Sequence, residues 1–485
     1  MGSSLASATL VAFQYVFCFL APCGFILVFY QIYLHPLSKY PGPFLAKITH
    51  GYGAFYAVKG RHHINTYKNF QKYGNVYREA PNHIYLNPNT TKGSAYRHPG
   101  AAAKPNLFTV RENAEHRRKR KVIGQVISER SMRPFAPTMS QQIDIFLEQL
   151  LLSSQRDEMV NMTVACNRLG VDVVGHLAFG CALKTQTEPT NRLIPETMFR
   201  GIYLNNLNFA LFQQAVGKMI AERTSQPPNA KPDFYAVATG EGGLAPGELW
   251  GEALFFVLAG SSTVATAICG SLFHLSHHAE AYKRLADEVR GAFASGRDIQ
   301  PGPMLSSCVY LRAQEPKNPA SPFVVDGHVI PVGTEVGVHL WAIMHDPEYF
   351  DDPFAFRPER WLMSHNSEGV AETAQEKASR ARARRAHVAF GFGDRNCLGK
   401  SMAYLETSLT LAKILWYFDF ERAPGKAGKL GCGKEGSKDP WDQPDQFQIF
   451  DILGADHDGP NLIFHPRGDH WRDLTGQTGH AGDMP

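Results

Sequence analysis

Phe390-Gly391-Phe392-Gly393-Asp394-Arg395-Asn396-Cys397-Leu398-Gly399 runs directly into Lys400-Ser401-Met402-Ala403-Tyr404-Leu405-Glu406, which reads as the opening of a helix. Phe390, Gly393, Arg395, Cys397 and Gly399 stand at fixed spacing: aromatic, turn-forming glycine, cation, thiol and a second glycine. The ordinary role of a cysteine is that of a small buried hydrophobe. The alternative is a thiolate ligand. A thiolate ligand needs a lowered pKa, and the N-terminus of a following helix supplies part of that. Gly393 and Gly399 permit turns and close backbone approaches that a Cβ would obstruct.

The rest of the chain sets the limits around this loop. At 485 residues with 44% hydrophobic and 19% charged, it has ample apolar material for a large core. A formal net charge of only +4 gives no sign of a nucleic-acid binder. The eight cysteines are scattered without a C-x-x-C pair, which argues for a reducing compartment and against a disulfide framework or zinc site.

Residues 10–34 carry no charge. Such a run is long enough to cross a hydrocarbon core of about 30 Å, and Tyr30 and Tyr33 fall where interfacial aromatics are expected. The rival reading is a cleaved signal peptide, but the run is long for one and no basic segment precedes it. Lys39 and Lys47 follow the run, so the positive-inside rule leaves the remainder in the cytosol. Residues 35–43, with Pro41 and Pro43, cannot continue a helix and read as a hinge. Residues 73–78 and 83–86 read as strands. Residues 111–121 form the densest basic run, in which Arg117, Arg118 and Lys119 read as a solvated helix face. Within it His116 and Arg120 are four apart and share one side of a helix. A second uncharged run, residues 253–275, is crowded with Gly260, Ser261, Ser262, Thr263, Thr266 and Gly270, and reads as a buried central helix rather than a second span.

Together these features resemble the cytochrome P-450 superfamily, over roughly residues 36–470 and with the flavour of the fungal microsomal enzymes of secondary metabolism. F-x-x-G-x-R-x-C-x-G is that family's heme-thiolate loop. Ala259-Gly260-Ser261-Ser262-Thr263 is similar to its oxygen-activating A-G-x-(D/E)-T, and Phe356-Arg357-Pro358-Glu359-Arg360-Trp361 to its F-x-P-E-R-W block. The resemblance implies a mainly α fold with a smaller β region, a long helix over the heme and the cysteine loop on the proximal side. It implies heme b with Cys397 as the axial ligand of iron, and Arg395, Arg120 and His116 facing the propionates. Ala259 and Gly260 leave room for O2, and Thr263 and Ser262 relay protons. It further implies electrons from NADPH through a cytochrome P-450 reductase docked on the proximal basic patch, and an apolar small-molecule substrate. The organisation expected is an endoplasmic-reticulum membrane anchor at 1–34, the hinge at 35–43, a catalytic domain at 44–475 and a disordered tail at 476–485.

The sequence departs from the family pattern twice. Ser262 stands where an acid is usual, so no carboxylate relays protons. The E-x-x-R segment expected after Leu305–Ala313 is missing. The chain runs instead through Gln314-Glu315-Pro316-Lys317-Asn318-Pro319, where the prolines forbid a regular helix. Losing one partner of a buried ion pair costs about 3–5 kcal/mol, so Arg360 is expected to be stranded unless Glu359 or solvent compensates. Two explanations are open: a coding segment skipped in the sequence, or a shortened relative that binds heme weakly or not at all and catalyses poorly. Residues 366–386 read as an exposed insertion, and 447–453 with 460–465 as a closing hairpin.

Overall fold

The computed structural model describes residues 20–86, 105–197, 206–227, 233–238, 243–311, 335–337, 339–362, 373–391, 393–451 and 454–475. The first part of the expected anchor, the proline run at 314–322 and the tail at 476–485 lie outside the described residues. In chain order the helices and strands are α1 (Leu20–Leu34), α2 (Phe44–Ile48), α3 (Gly51–Val58), α4 (His62–Tyr73), β1 (Val76–Ala80), β2 (His83–Leu86), α5 (Asn113–Gly124), α6 (Glu129–Gln155), β3 (Val160–Asn161) and α7 (Met162–Phe179). There follow α8 (Leu193–Thr197), α9 (Asn206–Thr224), α10 (Phe234–Ala238), α11 (Pro246–His277), α12 (Ala279–Ala292), α13 (Pro303–Ser307), β4 (Glu335–Gly337) and α14 (Leu340–Met344). The chain closes with α15 (Ala374–Ala386), α16 (Lys400–Tyr417), β5 (Phe418–Arg422), β6 (Phe450–Asp451), β7 (Ala455–Asp456), β8 (Asn461–Pro466) and α17 (Arg472–Thr475). The architecture is mainly α with small sheets.

The chain divides into two compact units. The smaller holds the described residues up to 86 and those from 335 to 344. In it β1 pairs antiparallel with β2, and β2 pairs parallel with β4. Leu37 and Tyr40 are buried with Val76 and Ile84, so the segment read as a hinge is packed down, not free. Arg78 reaches back to the end of α1, donating to the Gln31 carbonyl at 2.7 Å and its Oε1 at 2.6 Å.

The larger unit is organised on the crossing of α7 and α11. Asn161 opens α7 by accepting from the Val164 N–H, and Gly180, at φ 58°, ends it. α11 begins with Pro246 in its first turn, where a missing N–H costs nothing, and with Glu248 accepting from the Ala245 N–H at 2.9 Å. The two helices touch backbone to backbone. A Cβ at Gly170 would lie 2.8 Å from Ser261 Cα, and one at Gly260 would lie 2.8 Å from Val174 Cγ2. Val257, Val264, Ala265, Ile268, Cys269 and Leu272 bury one side of α11 in the core. That burial fits the sequence reading of residues 253–275 as a core helix. α16 completes the core with Leu409, Leu411, Ala412, Ile414 and Leu415.

Three expectations are corrected. β8 does not close a hairpin with residues 447–453: it is the central strand of β3–β8–β5, with Phe464 opposite Phe420, while β6 pairs with β7. The insertion before the cysteine loop forms α15, opened by Thr373 and Glu376 capping each other and burying Ala383 and Ala386. Arg360 is not stranded. It donates to the carbonyls of Asp351, Asp352 and Ala355 at 2.9–3.0 Å, while Glu359 turns to Arg284 Nη1 and the Tyr310 hydroxyl, both at 2.8 Å.

Candidate active site

The cysteine loop leaves α15 through His387 and is shaped by its own backbone. Gly391 N–H donates to the Val388 carbonyl, Asn396 N–H to Gly393, and Cys397 N–H to Phe390 at 2.7 Å, which closes the loop. Gly391 and Gly393 take φ of 68° and 66°, the left-handed region that side chains disfavour, so these turns call for glycine. The Phe390 ring lies 5.0 Å from that of Tyr404, and the Lys400 ammonium sits over both rings. Phe392 lies outside the described residues.

Cys397 combines two properties that a core cysteine lacks. Its side chain is exposed, yet the surrounding protein desolvates the sulfur and pushes the thiol pKa up. Against burial work the Gly399 N–H, the Arg120 guanidinium and the Lys400 ammonium, each favouring thiolate. A Cβ at Gly399 would lie 3.9 Å from the sulfur.

The basic run forms α5, and its charges divide. Arg120 donates to the Asn396 carbonyl at 2.7 Å and also to Asn396 Oδ1. His116 is buried one turn earlier. The reading of Lys119 as a solvated cation is corrected: it is 1% exposed and pairs with Glu248 and Glu252 of α11 at 3.1 and 3.0 Å. Arg118 bridges Glu115 and Glu248. Arg117 remains on the surface, with Arg111 and Lys121. Arg395 reaches not outward but to the chain leading into α5, donating to the carbonyls of Val110 and Arg111 and to Asn113 Oδ1.

On α11, Ser261, Ser262, Val264 and Ala265 are buried while Thr263 between them is exposed. Its hydroxyl donates to the Ala259 carbonyl at 2.7 Å, and that of Ser262 to Leu258 at 3.2 Å. The missing side chain of Gly260 serves the contact with Val174. One turn beyond Thr263, Thr266 donates to the carbonyls of Ser262 and Ala455 and meets His457 Nε2 at 3.1 Å; His457 Nδ1 meets the Thr163 hydroxyl at 2.8 Å. Burial pushes His457 down to about 4, so this buried link between α7, α11 and the β6–β7 hairpin is neutral. Asn396, Lys119, Glu252 and His457 were missed in the sequence. Their partners lie far along the chain, and only the alternation of buried and exposed positions in α5 could have marked Lys119.

The residues present suit a thiolate-ligated heme. The donor is an exposed cysteine, with cations and an N–H group acting on its sulfur, on a loop whose glycines allow close approach. α16, which follows directly on the cysteine loop, packs against the helix bearing Thr263.

The family model for Cytochrome P450 matches residues 209–431. Among curated proteins, the chain is 30% identical to the cytochrome P450 monooxygenase apf7 of Gibberella fujikuroi, over 91% of this chain and 96% of that one. It is 29% identical to the cytochrome P450 monooxygenase AKT7 of Alternaria alternata, covering 90% and 94%, and 29% identical to atnE of Emericella nidulans, covering 90% and 93%. The alignment with the Gibberella protein runs over 526 positions, more than the 485 residues here, so that relative carries segments this chain lacks.

Proposed function

The chain belongs to the cytochrome P450 family of monooxygenases, and on that premise we propose that it oxidises an apolar small molecule of fungal secondary metabolism with heme b held on the Cys397 thiolate. The observation that carries the reading is Cys397, an exposed cysteine on a glycine-turned loop with Arg120, Lys400 and the Gly399 N–H acting on its sulfur. When bound, heme supplies the binding and activation of O2. The protein's part is to hold the sulfur as thiolate, to orient the loop through Arg120 and Arg395, and to present one hydroxyl, that of Thr263, from an otherwise buried stretch of helix. Thr263 holds a proton at Oγ1 that is parked on the Ala259 carbonyl. Rotation of that hydroxyl frees the proton for transfer. Ser262 cannot substitute for an acid there, being buried and back-bonded to Leu258.

Electrons reach the site from an NADPH-dependent reductase. The surface of α5 still offers Arg111, Arg117 and Lys121 to an acidic partner, a smaller patch than the sequence suggested. Residues 1–34 anchor the chain in the endoplasmic-reticulum membrane; the described part, Leu20–Leu34, is an apolar helix with Phe25, Ile26, Leu27 and Leu34 exposed. A second reading, a relative that binds heme but turns over weakly, is favoured by Ser262 and by the shortened segment before residue 335. Microsomes containing the chain and a reductase, given NADPH and a panel of apolar natural products, separate the two. Oxygenated product that falls by about tenfold or more in T263A, with peroxide rising, supports the first reading. NADPH consumed only as peroxide by the wild type supports the second.

A further inference from the structure

α5 is a short helix of 12 residues with three buried side chains: His116, Lys119 and Ile123. Of these only Ile123 is apolar, with Val122 partly buried against the core beside it, so apolar burial holds α5 by one end only. Its position depends on polar contacts made on two sides. Towards α11, Lys119 Nζ lies 3.1 Å from Glu248 Oε1 and 3.0 Å from Glu252 Oε1. Glu252 is fully buried and also accepts from the Leu107 N–H at 2.9 Å, tying down the chain that leads into α5. Towards the cysteine loop, the next residue, Arg120, bonds twice to Asn396, and Arg395 returns the contact to Val110, Arg111 and Asn113.

We propose that Lys119 is a positioning residue for the ligand loop: by pairing with Glu248 and Glu252 it fixes α5 on the head of α11, so that Arg120 keeps its two-point hold on Asn396 and its charge beside the Cys397 sulfur. The same cation lowers both carboxyls, but burial decides the net direction differently in each. Burial opposes the charge of Glu248, but the Ala245 N–H, Lys119 and Arg118 outweigh it and hold the carboxyl at about 2. In Glu252 burial wins over the Leu107 N–H and Lys119, and the carboxyl is raised. Glu248 keeps Arg118 at 2.6 Å if the lysine is lost, whereas the cation paired with Glu252 is Lys119. Without Lys119, a buried carboxylate that accepts the Leu107 N–H has no cation, and α5 is released on the side facing α11. The resulting loss appears one residue further on, at Arg120, and from there at Asn396 and the sulfur. A stabilising ion pair elsewhere in the core would have no such route.

The inference rests on Cys397 carrying heme, and its test separates the two claims. The full-length chain is loaded with heme as wild type, K119M, K119R and K119M/E252Q, the last variant removing the stranded carboxylate while keeping an acceptor for Leu107. K413M serves as the control: Lys413 is also buried, on Asp144 and Ser140 of α6, and lies in the last turns of α16, about four helical turns beyond the ligand loop and without contact to the carboxylates paired with Lys119. Two quantities are measured, the midpoint potential of the iron and the rate at which the red-shifted carbonyl band is lost on mild warming. The expected result is a more negative potential and about tenfold faster loss in K119M and K119M/E252Q, recovery in K119R, and an unchanged potential in K413M. A wild-type potential and loss rate in K119M/E252Q, or an equal shift of the potential in K413M, overturns the proposal while leaving the heme assignment standing. Absence of the red-shifted band from the wild type overturns the heme-thiolate reading and this inference with it.

Discussion

Arg120 and Asn396 are 276 residues apart in sequence and joined by two hydrogen bonds, one from Nη1 to the backbone carbonyl at 2.7 Å and one from Nη2 to the side-chain oxygen. The pairing ties a basic helix to the residue before Cys397. It uses the planar fork of arginine, which an ammonium cannot reproduce. R120A should therefore lower the stability of the cysteine loop by about 2–3 kcal/mol, read as a lower denaturant concentration for loss of heme. R120K should recover only part of it; full recovery would mean that charge alone matters.

Glu406 is fully buried on α16, and neither carboxyl oxygen has a hydrogen-bond partner among the described residues. Burial pushes its pKa up to about 8. The folded chain then holds a proton that the unfolded chain releases near the ordinary 4.5. The stabilisation is complete below about pH 4.5 and declines as the pH rises towards about 8. E406Q, already neutral, should flatten this part of the stability profile in urea titrations at a series of pH values. An unchanged slope in E406Q would show that Glu406 is ionised in the folded state.

The α7–α11 crossing leaves no space at Gly170, where a Cβ would meet Ser261 backbone at 2.7–2.8 Å. G170A should destabilise the chain by about 1–3 kcal/mol through overpacking, whereas G217A, with nothing within 4 Å, should not. Thermal unfolding of the two variants side by side checks this. Equal effects would place the crossing elsewhere.

Glu359 meets Arg284 in an exposed pair, and Arg360 caps a turn formed by 351–355. R284A should cost less than about 1 kcal/mol, as surface ion pairs do. R360A should cost more, about 1.5–3 kcal/mol, because it removes charge-assisted bonds to three carbonyls. A loss of about 3–5 kcal/mol in R284A would instead indicate a buried ion pair.

What the sequence disclosed was mostly local. The cysteine loop and the run of small residues in α11 carry their meaning in adjacent letters: the one turns on Gly391 and Gly393, the other is a helix packed in the core. The failures were long-range. A lysine among arginines reads as solvated because nothing nearby shows two glutamates 129 and 133 positions on. Arg360 seemed to need a carboxylate because carbonyl caps leave no mark in the sequence. Residues 460–465 read as a strand, but a strand pattern does not name a partner, and β8 paired with β3 and β5 instead. Gly260 was assigned to the site from its motif, and its packing on Val174 gives a second reason for glycine there that the motif does not carry.

The central claim is that the Cys397 sulfur ligates heme iron, and the carbon-monoxide spectrum of the reduced full-length chain tests it most directly. Expression with a heme precursor should give the red-shifted thiolate band in the wild type and none in C397A. A wild-type spectrum of imidazole or unligated type, or no Soret band at all, would contradict it.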